Sequence, residues 1–359
     1  MIEFVIWAVV LTIDFAYALM LVSINMPQEK PVIRKLPKVS VIIAAKDGSS
    51  IRDTIMKLKR VKRPKLEIIV VSSDAKTLKI ARKYANKTVK DAGIGKGPAL
   101  NAAVKKASCK ILYFLDEDSI VKKDTVEKVC SGLNGNEIAS GSSMPHNKGG
   151  YISRVARLYF SLTIKIQSGL YKLTGATFVP GRNFAIYKNT LKKVGGFRNA
   201  LTEDLDLTFR LYSMNKKARF VNASTMEQVP SKLSWYIKQQ QRWNVGCERV
   251  MMEWEKRIHA HDIIIFTFIS LVGIVAPLSL LFLALGIVFG SYLFLSVTVL
   301  GFLICLSSVL TLDSDDIALF PVTFFAFIFV QTGSVIYSIL KKPKGWYRTP
   351  KTAAKTSHS

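Results

Sequence analysis

The segment Lys110–Ser119, KILYFLDEDS, joins five consecutive apolar residues to three consecutive carboxylates. Five apolar residues are too few for a helix and include strong β-formers, so the run predicts a buried strand. The acids Asp116, Glu117 and Asp118 follow directly where that strand would leave the core. Three adjacent negative charges repel one another unless a cation or hydrogen-bond donors lie close to them. The segment therefore predicts either a site for a hard divalent cation or an acidic turn that caps the next helix.

Two strand patterns precede this segment along the chain. The runs 39–44 (VSVIIA) and 67–71 (EIIVV) are typical of buried strands, and a helical pattern follows each of them. Strands and helices that alternate in this way predict an α/β fold with a mostly parallel sheet covered on both faces. Ligands of such sheets bind beyond the carboxyl ends of the strands. We therefore expect Asp47, Asp74 and the acids of 116–118 to lie at one sheet edge.

A glycine-rich loop, residues 93–97 (GIGKG), precedes the helix that leads to the 110–119 strand. It is not a Walker A loop, because Gly97 stands where Ser or Thr must follow the lysine. Such a loop often serves only as a turn before a helix. Lys96 nevertheless lies at the same predicted sheet edge as the acids, where a lysine can bind a diphosphate.

A helix is predicted to begin at residues 202–207 (TEDLDL). Thr202 is a plausible N-cap, and the helix dipole favours acids in the first turn. Capping accounts for one or two of these acids. A carboxylate at a helix start that faces a metal site also suits a general base.

A second helical pattern, over residues 234–258, places an apolar stripe along one side and basic residues off it. This profile is typical of a helix in the membrane interface, and equally of an ordinary packing helix. Arg242 and Trp243 indicate a further role, since an arginine binds phosphate and an indole offers a flat surface to a sugar or a base.

Apolar residues are concentrated at both ends of the 359-residue chain. Residues 2–24 form one apolar run, interrupted by Glu3 and Asp14, and no small-residue cleavage site follows it. We interpret this run as a membrane anchor. Residues 263–340 are long enough for three segments of roughly 20 residues each. These segments lie near 263–285, 288–311 and 317–340.

Basic residues near the span ends predict that the middle of the chain is cytoplasmic. They are Lys30, Arg34, Lys35 and Lys38 after the first span and Arg257 before the second. The tail after residue 340 carries six lysines and arginines and no acid, which predicts that the tail is also cytoplasmic. One span before the domain and three after it would instead place the tail outside. Either one C-terminal segment is re-entrant or interfacial, or the tail breaks the positive-inside rule.

The net charge of +26 has two ordinary explanations. Nucleic-acid binding is disfavoured, because the chain has no zinc-finger spacing, basic-aromatic RNA signature or basic zipper. Attraction to an anionic membrane surface and to a nucleotide diphosphate fits the apolar anchors better. The four cysteines form no CxxC pair and are expected to be reduced packing residues of a cytosolic domain.

Over residues 37–257 these segments resemble membrane-bound family 2 glycosyltransferases of the GT-A (Rossmann-like) fold. That group includes cellulose, chitin and hyaluronan synthases and ceramide glucosyltransferase. Asp116-Glu117-Asp118 is similar to the DXD motif, whose acids bind Mg²⁺ or Mn²⁺ that carries a nucleotide diphosphate. Thr202-Glu203-Asp204 is similar to the TED motif, whose aspartate is the base. Residues 239–243 (QQQRW) match QxxRW, which contacts the diphosphate and the acceptor sugar.

Two other segments add to the resemblance, and two depart from it. Residues 95–101 (GKGPALN) resemble a GKxxALN segment, and residues 346–351 (WYRTPK) resemble a WxxTxK tail that closes over the substrate from the cytoplasm. Where the first strand ends, the family often has Tyr-Asn-Glu and this chain has Ala45-Lys46-Asp47. After the second strand, the family usually has Asp-Asp-Gly and this chain has Ser72-Ser73-Asp74. Both places normally contact the nucleoside.

The resemblance implies an inverting, metal-dependent transfer of a sugar from a nucleotide sugar to a membrane-associated lipid or growing polysaccharide. The expected nucleotide of the donor is UDP, which the family usually uses. The expected metal ligands are Asp116 and Asp118. The expected nucleotide-sugar ligands are Ala44, Asp47, Asp74, Lys96, Asp116, Glu117 and Arg242. The expected catalytic residues are Asp204 as base, Glu203, Arg242, Trp243 and Gln239. The two departures leave open an alternative, a non-catalytic membrane-anchored binding protein with a decayed transferase domain.

We expect five regions along an integral membrane protein whose catalytic domain is cytoplasmic. They are an N-terminal anchor (1–26), a GT-A domain (37–230), interfacial helices with QxxRW (231–260), a transmembrane block (261–340) and a basic tail (341–359).

Overall fold

The computed structural model of the protein describes residues 2–27, 30–46, 48, 50–146, 150–254 and 260–341. The expected nucleoside ligand Asp47, the basic residue Arg257 and the tail motif at 346–351 lie outside these residues.

Eight strands form one sheet. They are β1 (Val39–Ala44), β2 (Leu66–Ser72), β3 (Lys87–Lys90), β4 (Ile111–Asp116), β5 (Ile120–Val121), β6 (Ile138–Pro145), β7 (Phe184–Tyr187) and β8 (Ala218–Glu227). Their order across the sheet is β3-β2-β1-β4-β7-β6-β8-β5. The first four run parallel to one another, whereas β7 runs antiparallel to both β4 and β6. The sheet is therefore parallel in its N-terminal half and mixed beyond β4.

The strand predicted at residues 110–115 is β4, which is buried along its apolar length and ends at Asp116. A strand covered on both faces needs apolar residues at successive positions, which explains the unbroken run ILYFL. In the parallel pairing of β1 with β4, Ala44 lies opposite Asp116. The predicted α/β fold is confirmed, and the ends of β1 and β4 lie side by side at one edge.

Helices cover the sheet and also form a separate layer beside it. They are α1 (Ile2–Asn25), α2 (Ile51–Lys59), α3 (Ala75–Arg82), α4 (Lys96–Lys106), α5 (Thr125–Ser131), α6 (Tyr151–Thr174), α7 (Lys188–Lys193), α8 (Glu203–Tyr212), α9 (Leu233–Trp254), α10 (Ala260–Phe289), α11 (Tyr292–Val309), α12 (Ser314–Ala318) and α13 (Phe320–Leu340). We call α1, α6 and α9–α13 the helical layer, and the sheet with α2–α5, α7 and α8 the α/β domain.

Helix α6 joins the helical layer to the sheet. Its buried side chains, among them Ile166 and Leu170, belong to one apolar core with Tyr17 of α1 and Phe327 of α13. On its sheet side, the amide of Gln167 donates a 2.9 Å hydrogen bond to the Phe178 carbonyl. The helix thus has one apolar core on its layer side and polar anchors on its sheet side.

Three helical segments of the described chain are long and apolar enough to cross a membrane. They are Val5–Asn25, Tyr292–Val309 and Phe320–Leu340, and a shorter apolar stretch covers Val275–Phe289. The three helices match the segments predicted at 2–24, 288–311 and 317–340, and the shorter stretch overlaps the end of the segment predicted at 263–285.

Candidate active site

Asp116, the last residue of β4, contacts cations from two other segments. Lys96 in the first turn of α4 places its Nζ 2.9 Å from Asp116 Oδ1. Arg182, in the loop before β7, places Nη1 3.5 Å from Asp116 Oδ2. Antiparallel pairing of β7 with β4 returns this loop to the carboxyl end of β4. The fold therefore brings a lysine and an arginine to one carboxylate at the predicted sheet edge.

Lys96 also connects this edge to the start of α8. Its Nζ lies 3.1 Å from Glu203 Oε1, so one ammonium group bridges Asp116 and Glu203. The neighbouring acid, Asp204, accepts a 2.8 Å hydrogen bond at Oδ1 from the Leu205 amide. The candidate acids of β4 and α8 therefore lie at one site.

Gly181 allows the loop before β7 to approach Asp204 closely. Its φ of 68° lies in the left-handed region that favours glycine. A Cβ at this position would lie 2.5 Å from Asp204 Oδ2. The glycine is therefore required both by the backbone conformation and by the adjacent carboxylate.

The acids and cations of the site change one another's pKa values. Burial, together with the charge of Glu203 and against the opposing charge of Lys96, raises the pKa of Asp204 to about 6. Burial lowers the pKa of Lys96, but Asp116, Glu203 and Asp204 more than offset this, and its pKa lies above the ordinary value. Burial lowers the pKa of Arg242 against the opposing effect of Glu203 and Asp204. The protonation of Asp204 therefore changes closer to neutral pH than that of an ordinary aspartate.

Helix α9 supplies the third side of the site. Arg242 donates from Nη1 to the Leu201 carbonyl at 3.3 Å, just before the start of α8. The Trp243 ring stacks on Tyr159 of α6, with centroids 5.8 Å apart and planes at 18°. Gln239 is buried, and its Oε1 has no hydrogen-bond partner within the described part of the chain. A buried acceptor without a partner is costly, so this oxygen is available to a ligand donor.

Two cavities adjoin at these residues. The edge cavity, of about 170 Å³, lies at the carboxyl ends of β1, β2 and β4. The helix cavity, of about 420 Å³, lies between α6, α8, α9 and α13. Their shared wall is Lys96, Asp116, Arg182, Arg242 and Trp243. Ala44, Ser73, Glu117, Asp118 and Gln239 line only the edge cavity. Tyr159, Phe160, Phe178, Glu203, Asp204 and Val335 line only the helix cavity.

Most of the predicted site residues therefore meet here, but two of them have other contacts as well. Asp74 is the N-cap of α3, where its carboxylate accepts from the Thr77 amide at 2.7 Å and the Thr77 hydroxyl at 2.6 Å. Among the described residues, Ser73 rather than Asp74 lines the edge cavity. Glu117 accepts a 2.8 Å hydrogen bond from the Lys46 amide, which fixes the loop after β1. Direct nucleotide contacts of both acids stay predictions.

The expected role of Thr202 as an N-cap is only partly correct. It occupies the N-cap position of α8, but its side chain makes no cap hydrogen bond with the described residues. The first turn of α8 instead presents Glu203 to Lys96.

Arg182 was not among the predicted site residues. Its Nε donates to Ser143 Oγ at 3.1 Å, and its guanidinium lies 5.1 Å from the centroid of the Phe160 ring. The next residue, Asn183, has a φ of 52° and accepts a 2.6 Å hydrogen bond from the Tyr113 hydroxyl. The available signal was an arginine between glycine and asparagine within an otherwise apolar stretch.

The donor set of the edge cavity fits a hard cation that arrives with a ligand. Asp116 and Asp118 both line this cavity and offer carboxylate oxygens. Within the described residues, no group of three or more His, Cys, Asp and Glu side chains is arranged to hold a metal. Mg²⁺ is usually bound by one or two carboxylates, with the remaining ligands from phosphates and water. The two aspartates therefore fit an ion carried by a diphosphate better than a closed structural site.

Sequence comparison relates the chain to known transferases. The probable glycosyltransferase YdaM of Bacillus subtilis is 30% identical over 254 residues, 64% of this chain and 60% of that protein. Poly-beta-1,6-N-acetyl-D-glucosamine synthase of Staphylococcus epidermidis is 23% identical over 228 residues, 60% of this chain and 55% of that protein. The aligned part thus spans less than two thirds of the length of either relative.

Structural comparison agrees on the fold. The mannosyltransferase PcManGT from Pyrobaculum calidifontis, solved with GDP-Man and Mn²⁺, matches with a TM-score of 0.60 and 16% identity. The match covers 93% of this chain and 98% of that one. The predicted GT-A-like fold is thereby confirmed. Residues 111–330, more than half of the chain and including β4, α8 and α9, match the glycosyl transferase family group 2, and the protein belongs to this family.

Proposed function

We propose that the protein is a metal-dependent, inverting glycosyltransferase that moves a sugar from a nucleotide sugar to a membrane-associated acceptor. The observation that carries this proposal is the shared wall between the two cavities. Asp116 of β4 meets cations from α4, the loop before β7 and α9 there, and the acids of α8 lie next to the wall on the helix-cavity side. A wall of this kind suits a reaction in which negative charge leaves on one side and a hydroxyl attacks from the other.

The edge cavity is the proposed site of the nucleotide diphosphate. Lys96, Arg182 and Arg242 lie along its wall and would stabilise charge that develops on the departing diphosphate. Asp116 and Asp118 would hold a Mg²⁺ or Mn²⁺ ion, which neutralises phosphate charge when bound. Gln239 Oε1, which has no hydrogen-bond partner among the described residues, adds an acceptor for a ligand hydroxyl or amide. UDP is the first nucleotide to test by family habit, and GDP follows because the structurally similar mannosyltransferase was solved with GDP-Man.

Asp204 is the proposed general base. It lines the helix cavity and not the edge cavity, so it lies on the side of the wall opposite to the proposed diphosphate site. With a pKa of about 6 it is largely ionised at neutral pH, yet it is more basic than an ordinary aspartate. A base opposite the leaving group supports a single displacement with inversion at the sugar carbon.

The helix cavity is the proposed acceptor site. Aromatic and aliphatic residues of α6, α9 and α13 form much of its lining, including Tyr159, Phe160 and Val335. An acceptor with an apolar part fits this lining. The candidate spans support an acceptor held at the membrane, either a lipid-linked sugar or a growing polysaccharide, with the α/β domain in the cytoplasm.

A donor screen with the full-length protein in detergent or nanodiscs tests this function. Release of UDP or GDP from a panel of nucleotide sugars is measured with Mn²⁺, with Mg²⁺ and with chelator. We expect cation-dependent release with at least one donor, stimulated by lipid extract. A radiolabelled donor then gives the product length, one step or many. Absence of turnover with every donor in native membranes would favour the non-catalytic alternative.

A further inference from the structure

A third cavity, of about 390 Å³, lies where the chain leaves α1. Its walls come from the segment after α1, from α5 and the residues that follow it, from the C-terminal half of α6 and from β8. It shares no lining residue with the edge cavity or the helix cavity. Its volume lies within the range of small-molecule sites, roughly 300–1,000 Å³. We call it the basic cavity, and it is separate from the proposed donor and acceptor sites.

The charged groups in the lining of the basic cavity are all cations: Lys30, Arg34, Lys128, Lys172 and Arg219. No Asp or Glu of the described chain lines it. Lys128 forms an ion pair with Asp124, which lies outside the lining. Burial and the charge of Lys165 both lower the pKa of Lys172, so its ammonium group lies in unfavourable surroundings. An anion in the cavity would stabilise these cations.

Ser168 of α6 adds a buried polar group to the lining. The residue is fully buried, and its Oγ has no hydrogen-bond partner among the residues that the structure describes. A serine inside a helix often donates to the carbonyl four residues earlier, but Ser168 makes no such bond. Because a buried hydroxyl without a partner is costly, a ligand oxygen in the cavity would supply what this group lacks.

The segment between α1 and β1 forms one wall of the basic cavity and is attached at two points. The ammonium group of Lys172 on α6 donates to the Met26 carbonyl. The Arg34 amide donates a 3.2 Å hydrogen bond to Ser131 Oγ on α5. The cations of this segment are therefore held beside those of α5 and α6, so several of them can contact one ligand.

Apolar side chains are exposed beside these cations. The candidate membrane span of α1 ends at Asn25, and Pro27 already lines the basic cavity. Val32, which also lines the cavity, is 63% exposed, and the next residue, Ile33, is 53% exposed. Cations next to exposed apolar side chains at the end of a span match the boundary between lipid headgroups and acyl chains. A soluble anion would account for the cations but not for the apolar side chains.

We propose that the basic cavity binds the phosphate-bearing headgroup of an anionic membrane lipid, whose acyl chains lie beside α1 and the exposed side chains of Val32 and Ile33. The cations of the cavity neutralise the phosphate, and Ser168 donates a hydrogen bond to it. A lipid in this position attaches the segment between α1 and β1 to the membrane surface, and with it the α/β domain. This binding does not depend on the transfer reaction, so it is tested without any measurement of turnover.

Lipid affinity of the full-length chain tests the proposal. Native mass spectrometry in a neutral detergent gives the affinity for phosphatidylglycerol and, with the same acyl chains, for phosphatidylcholine. A basic residue near an anionic lipid surface contributes about 1 kcal/mol, or about fivefold in affinity. We expect phosphatidylglycerol to bind at least about fivefold more tightly, because its headgroup carries a net negative charge. Equal affinities for the two lipids would overturn the proposal.

A pair of substitutions assigns the lipid to the basic cavity. Lys30→Gln with Arg34→Gln removes two cations from its lining, and both side chains are exposed, so the fold should be retained. We expect the affinity for phosphatidylglycerol to fall by about fivefold or more. The matched control is Lys79→Gln with Arg82→Gln, which removes the same charges from exposed positions of α3 and should leave the affinity unchanged. Equal affinities of the two double variants would contradict the assignment.

A soluble competitor separates a lipid from a free phosphate compound. Glycerol 3-phosphate carries a phosphate and a glycerol group but no acyl chains. We expect it to leave phosphatidylglycerol bound when the two are present at equal concentration. Displacement of the lipid under these conditions would identify the cavity as a site for a soluble phosphate ligand and would overturn the proposed lipid.

Discussion

The two cavities differ in the elements that form them. The edge cavity is small and is bounded by strand ends and short loops together with α4 and α9, and its functional groups are carboxylates, lysines and arginines. The helix cavity is more than twice as large and is bounded by three helices of the helical layer, with many aromatic and aliphatic side chains. The sheet holds the residues at its strand ends in fixed positions. Side chains on a helix face can be substituted without altering the sheet. We infer that donor chemistry belongs to the sheet edge with α4 and α9, and acceptor choice to the faces of α6, α9 and α13.

The largest effect on one cavity but not the other is expected from Asp204→Asn, which removes the proposed base of the helix cavity and leaves the edge cavity unchanged. The amide preserves the shape but cannot accept a proton, and general-base assistance is typically worth about 10²–10⁴ in rate. We expect turnover to fall by that factor in a steady-state assay of nucleotide release. The matched control is Asp124→Asn, an acid-to-amide change in a surface ion pair with Lys128, which should retain full activity. Near-normal turnover of Asp204→Asn would exclude Asp204 as the base.

Arg182→Ala tests the shared wall from the donor side. The change removes a charged hydrogen-bond donor beside Asp116, and such interactions contribute about 1.5–3 kcal/mol. We expect nucleotide affinity, measured by calorimetry with Mn²⁺, to weaken by about 10–100-fold. Arg60→Ala, an arginine-to-alanine change just after α2, should leave affinity unchanged. Equal affinity in both variants would remove Arg182 from the donor side.

The pH dependence of turnover sharpens the assignment of Asp204. Its raised pKa means that the ionised base is lost as pH falls through about 6. We expect kcat/KM to decrease about tenfold per pH unit below this value and to level off above pH 7. An acid-limb pKa near 4 would indicate that another group or step controls the profile.

The same pKa shift predicts an effect on stability. A carboxyl whose folded pKa lies above its unfolded value favours folding in its neutral form, so stability is lost as pH rises from about 4 to 6. Asp204→Asn should therefore have an equal or higher Tm than the parent at pH 7.5. A large drop in Tm would instead indicate a structural role.

The smallest effect is expected on the acceptor side, from Val335→Phe. The larger ring would narrow the helix cavity, and we expect the acceptor KM to rise several-fold while the donor KM stays constant. The neighbouring Ile336→Phe is the control, because Ile336 is 52% exposed on the outer face of α13. Equal effects of both variants on the acceptor KM would remove Val335 from the acceptor side.

Particular residues show what was predictable from the sequence. Strand β4 and its acids were predicted because a strand buried on both faces requires an unbroken apolar run. Asp74 has the same position after β2, but Thr77 three residues later allows local capping of α3, which competes with ligand binding. Local chemistry therefore decides between two roles that strand position alone does not separate.

Arg182 and α13 could not be placed from local patterns. The position of Arg182 depends on the antiparallel return of β7 beside β4, which is a long-range pairing. The hydropathy of α13 does not show that Val335 reaches the helix cavity, which depends on the packing of α13 against α6 and α9. Tertiary pairing, not composition, determines both features.

The central claim is that Asp116, in the shared wall, serves the donor while Asp204, on the helix-cavity side of that wall, is the base. Calorimetric binding of nucleoside diphosphate with Mn²⁺, compared with turnover in Asp116→Asn and Asp204→Asn, tests it most directly. We predict that both variants lose turnover, that Asp116→Asn also loses cation-dependent binding, and that Asp204→Asn binds the diphosphate as the parent does. Loss of binding in a folded Asp204→Asn protein, or normal cation-dependent binding in Asp116→Asn, would contradict the claim.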